Sequence, residues 1–284
     1  MSEKCHEVNI YRLNFAGYIM KKTLQLVAIG CLLAACNNGA VENQVTQTQV
    51  PVQEKEMKDA IAKYPDSGLL KENLIDYYRE NGSLELALAE TTKALAKDSN
   101  DAKLWDKKAL IYIENDDTIN SIKAYQKAIA IYPDPEYIMA LGWLYAQKKD
   151  SNALAMADAL LVGKKSHAEK EAFLIKGLYY GSVGNTQKAL VFFDGCLAMD
   201  YTFMQAYREK AIVLYNIGKY EDAIKVLTKA VTLQNSFAEG YYWIGKCNEK
   251  LNNTNDAIES YKLALQYDPD LVDAKDALGK LGVK

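Results

Sequence analysis

Met204–Phe237 reads MQAYREKAIVLYNIGKYEDAIKVLTKAVTLQNSF, and Ala238–Leu271, which follows directly, reads AEGYYWIGKCNEKLNNTNDAIESYKLALQYDPDL. Overlaid at a 34-residue period, Tyr207 falls on Tyr241, Ala211 on Gly245, Ala223 on Ala257, Leu227 on Tyr261, Ala230 on Ala264 and Asn235 on Pro269. Self-similarity at a fixed period of this length marks stacked helical pairs, each burying its apolar face on the next. The chain is therefore expected to be an all-α array, with function in an extended surface rather than in one enclosed pocket.

The same grid extends backwards, with repeats near 68–101, 102–135, 136–169, 170–203, 204–237 and 238–271. Position 8 reads Ile75, Ala109, Trp143, Gly177, Ala211, Gly245, and position 20 reads Ala87, Ser121, Ala155, Ala189, Ala223, Ala257. Position 27 reads Ala94, Ala128, Val162, Cys196, Ala230, Ala264, and position 24 carries Tyr125, Phe193, Leu227 and Tyr261. Small side chains belong where helices A, B and the next A cross closely, and large ones fill the space beside those crossings. Gly82, Gly184 and Gly218 fall between helices A and B, where the chain reverses, and Pro133 and Pro269 stop helix B from running on. These columns resemble the tetratricopeptide repeat, a helix–turn–helix unit. The resemblance covers about residues 54–281 and implies a right-handed α-solenoid, a superhelix of about six repeats.

Two places depart from the pattern. Thr91 and Ala159 stand where position 24 is otherwise large. In the third repeat Leu141-Gly142 suits positions 7 and 8 better than the Gly142-Trp143 of the grid; its helix B is expected back in register at Ala155, before a polar joint at Gly163–His167. Both ends read as capped. Glu54–Tyr64 puts Met57, Ala60 and Ile61 on one face before Pro65, an N-terminal half repeat. Asp270–Lys280 puts Leu271, Ala274, Ala277, Leu278 and Leu281 on one face, a C-terminal capping helix. The repeat domain is thus expected over 54–284.

Upstream, Met20-Lys21-Lys22, an apolar run from Leu24 to Leu33, and Leu33-Ala34-Ala35-Cys36 follow in order. A basic start, a short apolar core and a small-residue cleavage site describe a secretory signal peptide over 1–35. The run is shorter than the roughly 20 residues that span a bilayer. Met20 is the expected start, which leaves 1–19 upstream of it. Leu-Ala-Ala-Cys resembles the lipobox of bacterial lipoproteins, and the resemblance implies that Cys36 is the lipidated first residue of the mature chain. An ordinary signal peptide with a chance cysteine is the alternative. Residues 36–53, rich in Asn, Gln, Thr and Val, read as a flexible tether. Asn37 is not the Asp that retains enteric lipoproteins in the inner membrane, which points to the outer membrane of a bacterial cell envelope.

The chain has 34 basic and 37 acidic residues; without residues 1–35 the balance is 30 against 35, a net of −5. That argues against nucleic acid, which calls for a basic face. Cleavage leaves Cys36, Cys196 and Cys247; the last two fall in different repeats and are expected to be small buried apolar residues, with no disulfide between them.

No sequence motif for catalysis, a metal, a cofactor or a small-molecule substrate occurs; His167 is the one histidine after the leader, and it lies in the polar joint. What remains is a surface. The family resemblance implies that helix A residues near positions 2, 5, 9 and 12 line a concave peptide-binding groove. Position 9 here reads Asp76, Leu110, Leu144, Leu178, Ile212, Lys246, with Tyr137, Ala140, Leu174, Arg208, Tyr215 and Tyr242 nearby. Asp76 and Asp106 at one end and Arg208 and Lys246 at the other would orient a ligand by charge. The alternative is that the leucines pack between neighbouring A helices. The family's carboxylate clamp is not matched, because Glu72, Asp76 and Asp106 occupy its places. Three readings follow: a membrane-anchored, non-catalytic scaffold holding a protein or peptide in the groove, a structural subunit of an envelope complex joined through repeat edges, or an enzyme with an unrecognised site.

Overall fold

The computed structural model describes residues 52–162 and 168–283. The leader, Cys36, the tether up to residue 51 and His167 lie outside the described residues. Fourteen helices and no strand occur among them, an α-solenoid of tetratricopeptide type. One compact unit ends at Tyr132. It holds α1 (Val52–Lys63), α2 (Gly68–Glu80), α3 (Leu84–Lys97), α4 (Ala102–Glu114) and α5 (Thr118–Ile131). The other begins at Pro133. It holds α6 (Pro135–Gln147), α7 (Asn152–Leu161), α8 (Glu169–Ser182), α9 (Thr186–Met199), α10 (Met204–Asn216), α11 (Tyr220–Leu233), α12 (Ala238–Lys250), α13 (Thr254–Tyr267) and α14 (Val272–Lys280).

Each A helix ends the same way. The residue at position 15 turns left-handed: Gly82, Gly184 and Gly218, but also Asp116, Lys149 and Asn252. The next N–H then reaches back five residues, from Ser83 to Tyr78 O, Asp117 to Tyr112 O, Asp150 to Tyr145 O, Asn185 to Tyr180 O, Lys219 to Leu214 O and Asn253 to Asn248 O, all at 2.8–2.9 Å. This Schellman closure satisfies a carbonyl that the helix end leaves open. Some helix starts carry side-chain caps: Asp101 accepts from the N–H groups of Lys103 and Leu104, and Asp117 from that of Asn120.

The core lies between the paired helices. Ala87, Ser121, Ala189, Ala223 and Ala257 are buried at position 20, as are Thr91, Tyr125, Phe193, Leu227 and Tyr261 at position 24. A methyl placed on Gly177 would come within 2.5 Å of the Phe193 ring, and one on Gly245 within 2.5 Å of the Tyr261 ring. The two glycines are therefore the seats of those rings. At Thr91, where the large residue is missing, the hydroxyl donates to Ala87 O at 2.7 Å and so buries no unpaired polar group.

The third repeat corrects the expected register. Its position 8 is Gly142, not Trp143: a Cβ there would meet Ile175 at 2.8 Å and Met156 at 3.0 Å. Helix B does not return to register at Ala155. Ala155 is exposed, Val162 is 84% exposed, and the buried residues are Ala153, Ala157 and Leu160. Pro135 at the first helical position, with Asp134 accepting from the Glu136 N–H, starts α6 one residue early. The first turn of α7 then closes with tight bonds from Ala153 N to Asp150 O and Leu154 N to Ser151 O, which brings its apolar face round sooner.

A recurring clip confirms this frame. The lysine at position 7 of an A helix reaches position 25 of the preceding B helix: Lys108 to Thr92, Lys176 to Asp158 and Lys210 to Asp194. The separation is 16 residues in the first and third pairs and 18 in the second, so two extra residues sit in the joint after α7. The ends are covered as expected. Met57 and Ile61 of α1 pack on the first unit's core, and Tyr78 OH donates to Glu54 at 2.7 Å. Ala274, Ala277 and Leu278 of α14 are buried. Helix α1 begins at Val52, two residues before the expected start of the half repeat.

Gly245→Ala tests the ring seat. Glycine to alanine in an open helix stabilises by about 0.5–1 kcal/mol. Here the overpacking against a fully buried ring outweighs that gain, and a net loss of about 1–3 kcal/mol is expected in denaturant unfolding. Gly279→Ala in α14, where a methyl meets nothing within 4 Å, should be neutral or stabilising.

Candidate interaction surface on the A helices

Within each unit, successive A helices lie side by side, so equivalent positions form rows. In the first unit the row is polar. Lys107 on α4 holds Asp76 on α2 at 2.6 and 2.9 Å. Arg79 donates to Asp76 at 3.3 Å and, through Nε, to Glu114 at 2.9 Å. Asp76 is therefore neutralised by two cations and is not the free acidic end that the sequence suggested. Burial raises the Glu114 carboxyl and Arg79 opposes that rise.

The apolar row is mostly core. Leu144 and Ile212 are each 2% exposed, and Leu110, Ala140, Leu174, Tyr215 and Tyr242 are also buried. Leu174 packs with Ala189, Phe193, Cys196 and Ala206. Their side chains are committed to packing, because the A helices approach too closely to leave position 9 open. Of the expected groove residues, Tyr137, Leu178 and Lys246 keep partial exposure. The packing alternative thus describes most of the row.

Arg208 departs furthest from expectation. It is 5% exposed and held from both sides: Nη1 donates to Glu239 on α12 at 2.6 Å, and Nε and Nη2 donate to Glu209 at 3.0 Å. It fastens α10 to α12 and is no free cation for a ligand. One guanidinium faces two carboxylates, so the pair cannot be balanced. Glu209, the deeper at 4% exposure, carries the desolvation, and burial lifts its carboxyl above the ordinary range despite Arg208.

Nearby, Tyr215, Tyr242 and Lys246 come together with residues the sequence did not single out. Tyr215 meets the Trp243 ring edge-on at 5.5 Å and the Tyr220 ring at 5.2 Å. Tyr242 meets Trp243 at 5.7 Å and Tyr261 at 5.8 Å. The Lys246 ammonium stands 6.0 Å from the Tyr215 ring centre. Tyr261 OH donates to Glu249 at 2.8 Å, and burial first, then that carboxylate, hold the hydroxyl protonated well above the usual phenol range. Tyr215, Tyr242, Trp243 and Tyr261 are buried, so the cluster is packing between α10, α12 and α13, and at its edge Tyr220 and Lys246 keep partial exposure. Cys196 and Cys247 are free and buried, and burial pushes both thiols up to about 12. Neither is an available nucleophile at neutral pH.

Comparison with known proteins agrees with this architecture. A TPR repeat family model matches residues 211–252, and tetratricopeptide repeat models match 238–271 and 102–135. The chain is 21% identical over 257 residues to a DnaJ homolog subfamily C member 7 homolog of Dictyostelium discoideum, covering 86% of this chain and 45% of that protein. It is 27% identical over 109 residues to DnaJ homolog subfamily C member 7 of Mus musculus, covering 38% of this chain and 22% of that one. The chain thus spans less than half the length of these relatives. Among solved structures, a tetratricopeptide repeat protein from Parabacteroides merdae ATCC 43184 superposes with a TM-score of 0.68 at 23% identity, covering 81% of this chain and 91% of that one. PilW, a type IV pilus biogenesis factor, superposes with a TM-score of 0.56 at 21% identity, covering 74% and 97%. At these identities the likeness is one of fold.

The Arg208 cluster gives a pH prediction. Glu209 binds its proton more tightly in the folded than in the unfolded chain, where the carboxyl titrates near 4.5. Its stabilising contribution is therefore fully present below that pH and is lost as pH rises through the folded-state value. Glu209→Gln should be more stable than the parent at neutral pH, with the gap closing toward pH 4.5 in unfolding curves. Arg208→Met leaves both carboxylates without their cation and should cost roughly 3–5 kcal/mol.

Proposed function

We propose that this tetratricopeptide solenoid is a non-catalytic protein-interaction scaffold, anchored to a bacterial envelope membrane through Cys36 and holding a protein or peptide on the A-helix face. The fold supports the scaffold role, since an array of helical pairs presents an extended surface and its buried thiols offer no nucleophile. The observation that carries the ligand-binding reading is the partly exposed edge of Leu178, Tyr220 and Lys246, which the buried packing of Tyr215, Tyr242 and Trp243 holds in place. A groove there takes a ligand through the partly exposed Leu178 and Lys246, and the buried Leu144, Ile212 and Leu174 hold the helices that carry them. The order of basic start, apolar core, Leu33–Cys36 and polar tether supports the anchor, and Asn37 in place of an Asp after Cys36 favours the outer membrane.

Two variants divide support from core. Leu178→Asn with Lys246→Glu should retain parental helix content with a small drop in melting temperature, since Leu178 partly packs on the core, and should lose the protein cross-linked to the parent in detergent-solubilised envelope. A folded double variant that captures the same protein with undiminished yield would move the contact off this face. Leu144→Asp should instead lower the melting temperature by several degrees, because it buries a carboxylate.

The anchor has its own test. Cys36→Ala should block lipid attachment and signal cleavage. A variant that still matures and partitions into detergent would place the anchor elsewhere.

A further inference from the structure

In the second unit the A-to-B turns all fall at the C-terminal ends of A helices and so share one edge. Their cap position carries an apolar residue in three successive repeats: Val183, 43% exposed, Ile217, 44% exposed, and the partly buried Leu251. The fold does not need this. The equivalent caps of α2 and α4 are Asn81 and Asn115, and Asn81 uses its amide to donate to Tyr77 O at 2.8 Å. The left-handed residue and back-reaching N–H that follow are the same in all cases. The apolar row is an addition to the turn.

The same edge carries Lys148, Lys149, Lys219 and Lys250, all exposed, whose ammonium groups make no ion pair among the described residues. Elsewhere in this unit Lys170, Lys176, Lys210, Lys225 and Lys275 each meet a carboxylate and Lys188, Lys229 and Lys246 stand over tyrosine rings, while Lys262 and Lys280 also make no ion pair among the described residues. Opposing charges on the edge are largely engaged. Asp150 accepts from the Asn152 N–H at 2.9 Å, and Asp222 is met by Lys225. Glu221 and Asp256 lie in the first turns of α11 and α13, where they complement the helix dipoles.

We infer that this turn edge rests on an anionic lipid bilayer surface, the three apolar caps entering the headgroup layer and the lysines meeting lipid phosphates. The caps sit at turns, those of Ile217 and Leu251 each with an exposed lysine alongside, and this mixture of apolar and cationic groups fits the headgroup layer of an anionic bilayer. Lysine stems lie along the interface while their ammonium groups stay at the headgroups. The inference adds a second membrane contact to the proposed scaffold and needs neither the acyl anchor nor the groove.

Full-length protein carrying Cys36→Ala, which has no site for an acyl chain, is sedimented with phosphatidylglycerol/phosphatidylcholine vesicles and with phosphatidylcholine vesicles alone. The unlipidated parent should bind the anionic vesicles in clear excess over the neutral ones, and added salt should remove the excess. Val183→Asn with Ile217→Asn and Leu251→Asn installs the cap of the first unit and should keep the fold, as judged by melting temperature. It should lower anionic-vesicle binding at least tenfold. Lys149→Gln with Lys219→Gln and Lys250→Gln should do the same, at up to about fivefold per lysine. The leader, with Lys21 and Lys22 beside its apolar run, itself favours anionic vesicles, but equally in every variant, so the difference between parent and variants is the reading. A parent without preference for anionic vesicles, or folded variants that bind them like the parent, overturns the inference. Cys36 proving unlipidated in cells would leave it standing.

Discussion

The close approach of helix A to helix B is the constraint on which the rest depends. It is made by small residues at positions 8, 20 and 27, and its sharpest form is a glycine beneath an aromatic ring. Tyr261 can be fully buried only because Gly245 has no Cβ, and Phe193 only because Gly177 has none. Within each unit, a pair stacks on the next through another close crossing. Stability is therefore a sum of neighbour contacts and not the property of one central core.

That closeness also limits the surface. Where A helices touch, position 9 is drawn inside, and Leu144 and Ile212 become packing residues. The face left to solvent consists of what packing could not absorb: a lysine over a tyrosine, one leucine edge, and polar residues already paired with one another. Buried charges are organised by the same geometry. Lys107 to Asp76 and Arg208 to Glu239 each span 31 residues, linking one A helix to the next. They act as ties between repeats.

Much of the fold was legible because the crossing demands a residue size, and size shows in a single sequence. The columns of alanine and glycine, the turn glycines and the end helices all follow from that demand. Legibility failed where length and not size carried the information. Pro135 and the tight first turn of α7 shift the third repeat, and counting in steps of 34 then assigns Ala155 and Val162 to places held by Ala153 and Leu160. The candidate site was read less well. A leucine at position 9 looks the same in sequence whether it faces a ligand or a neighbouring helix. Arg208 looked like a free cation because Glu239 lies a repeat away. The charge at position 2 of the following A helix was the signal that could have revealed it.

The third repeat also shows how such a chain tolerates change in length. Its helices run early, and two additional residues after α7 restore the frame before Lys176 meets Asp158. The neighbours on the far side of the joint experience no displacement of their partners. An insertion or deletion is thus confined to the connector where it occurs, because each helix finds its register from the surface beside it and not from its distance along the chain. In evolutionary terms, the third repeat records a paired change, a shortening before α7 offset by two residues after it, which leaves the later repeats on the 34-residue grid.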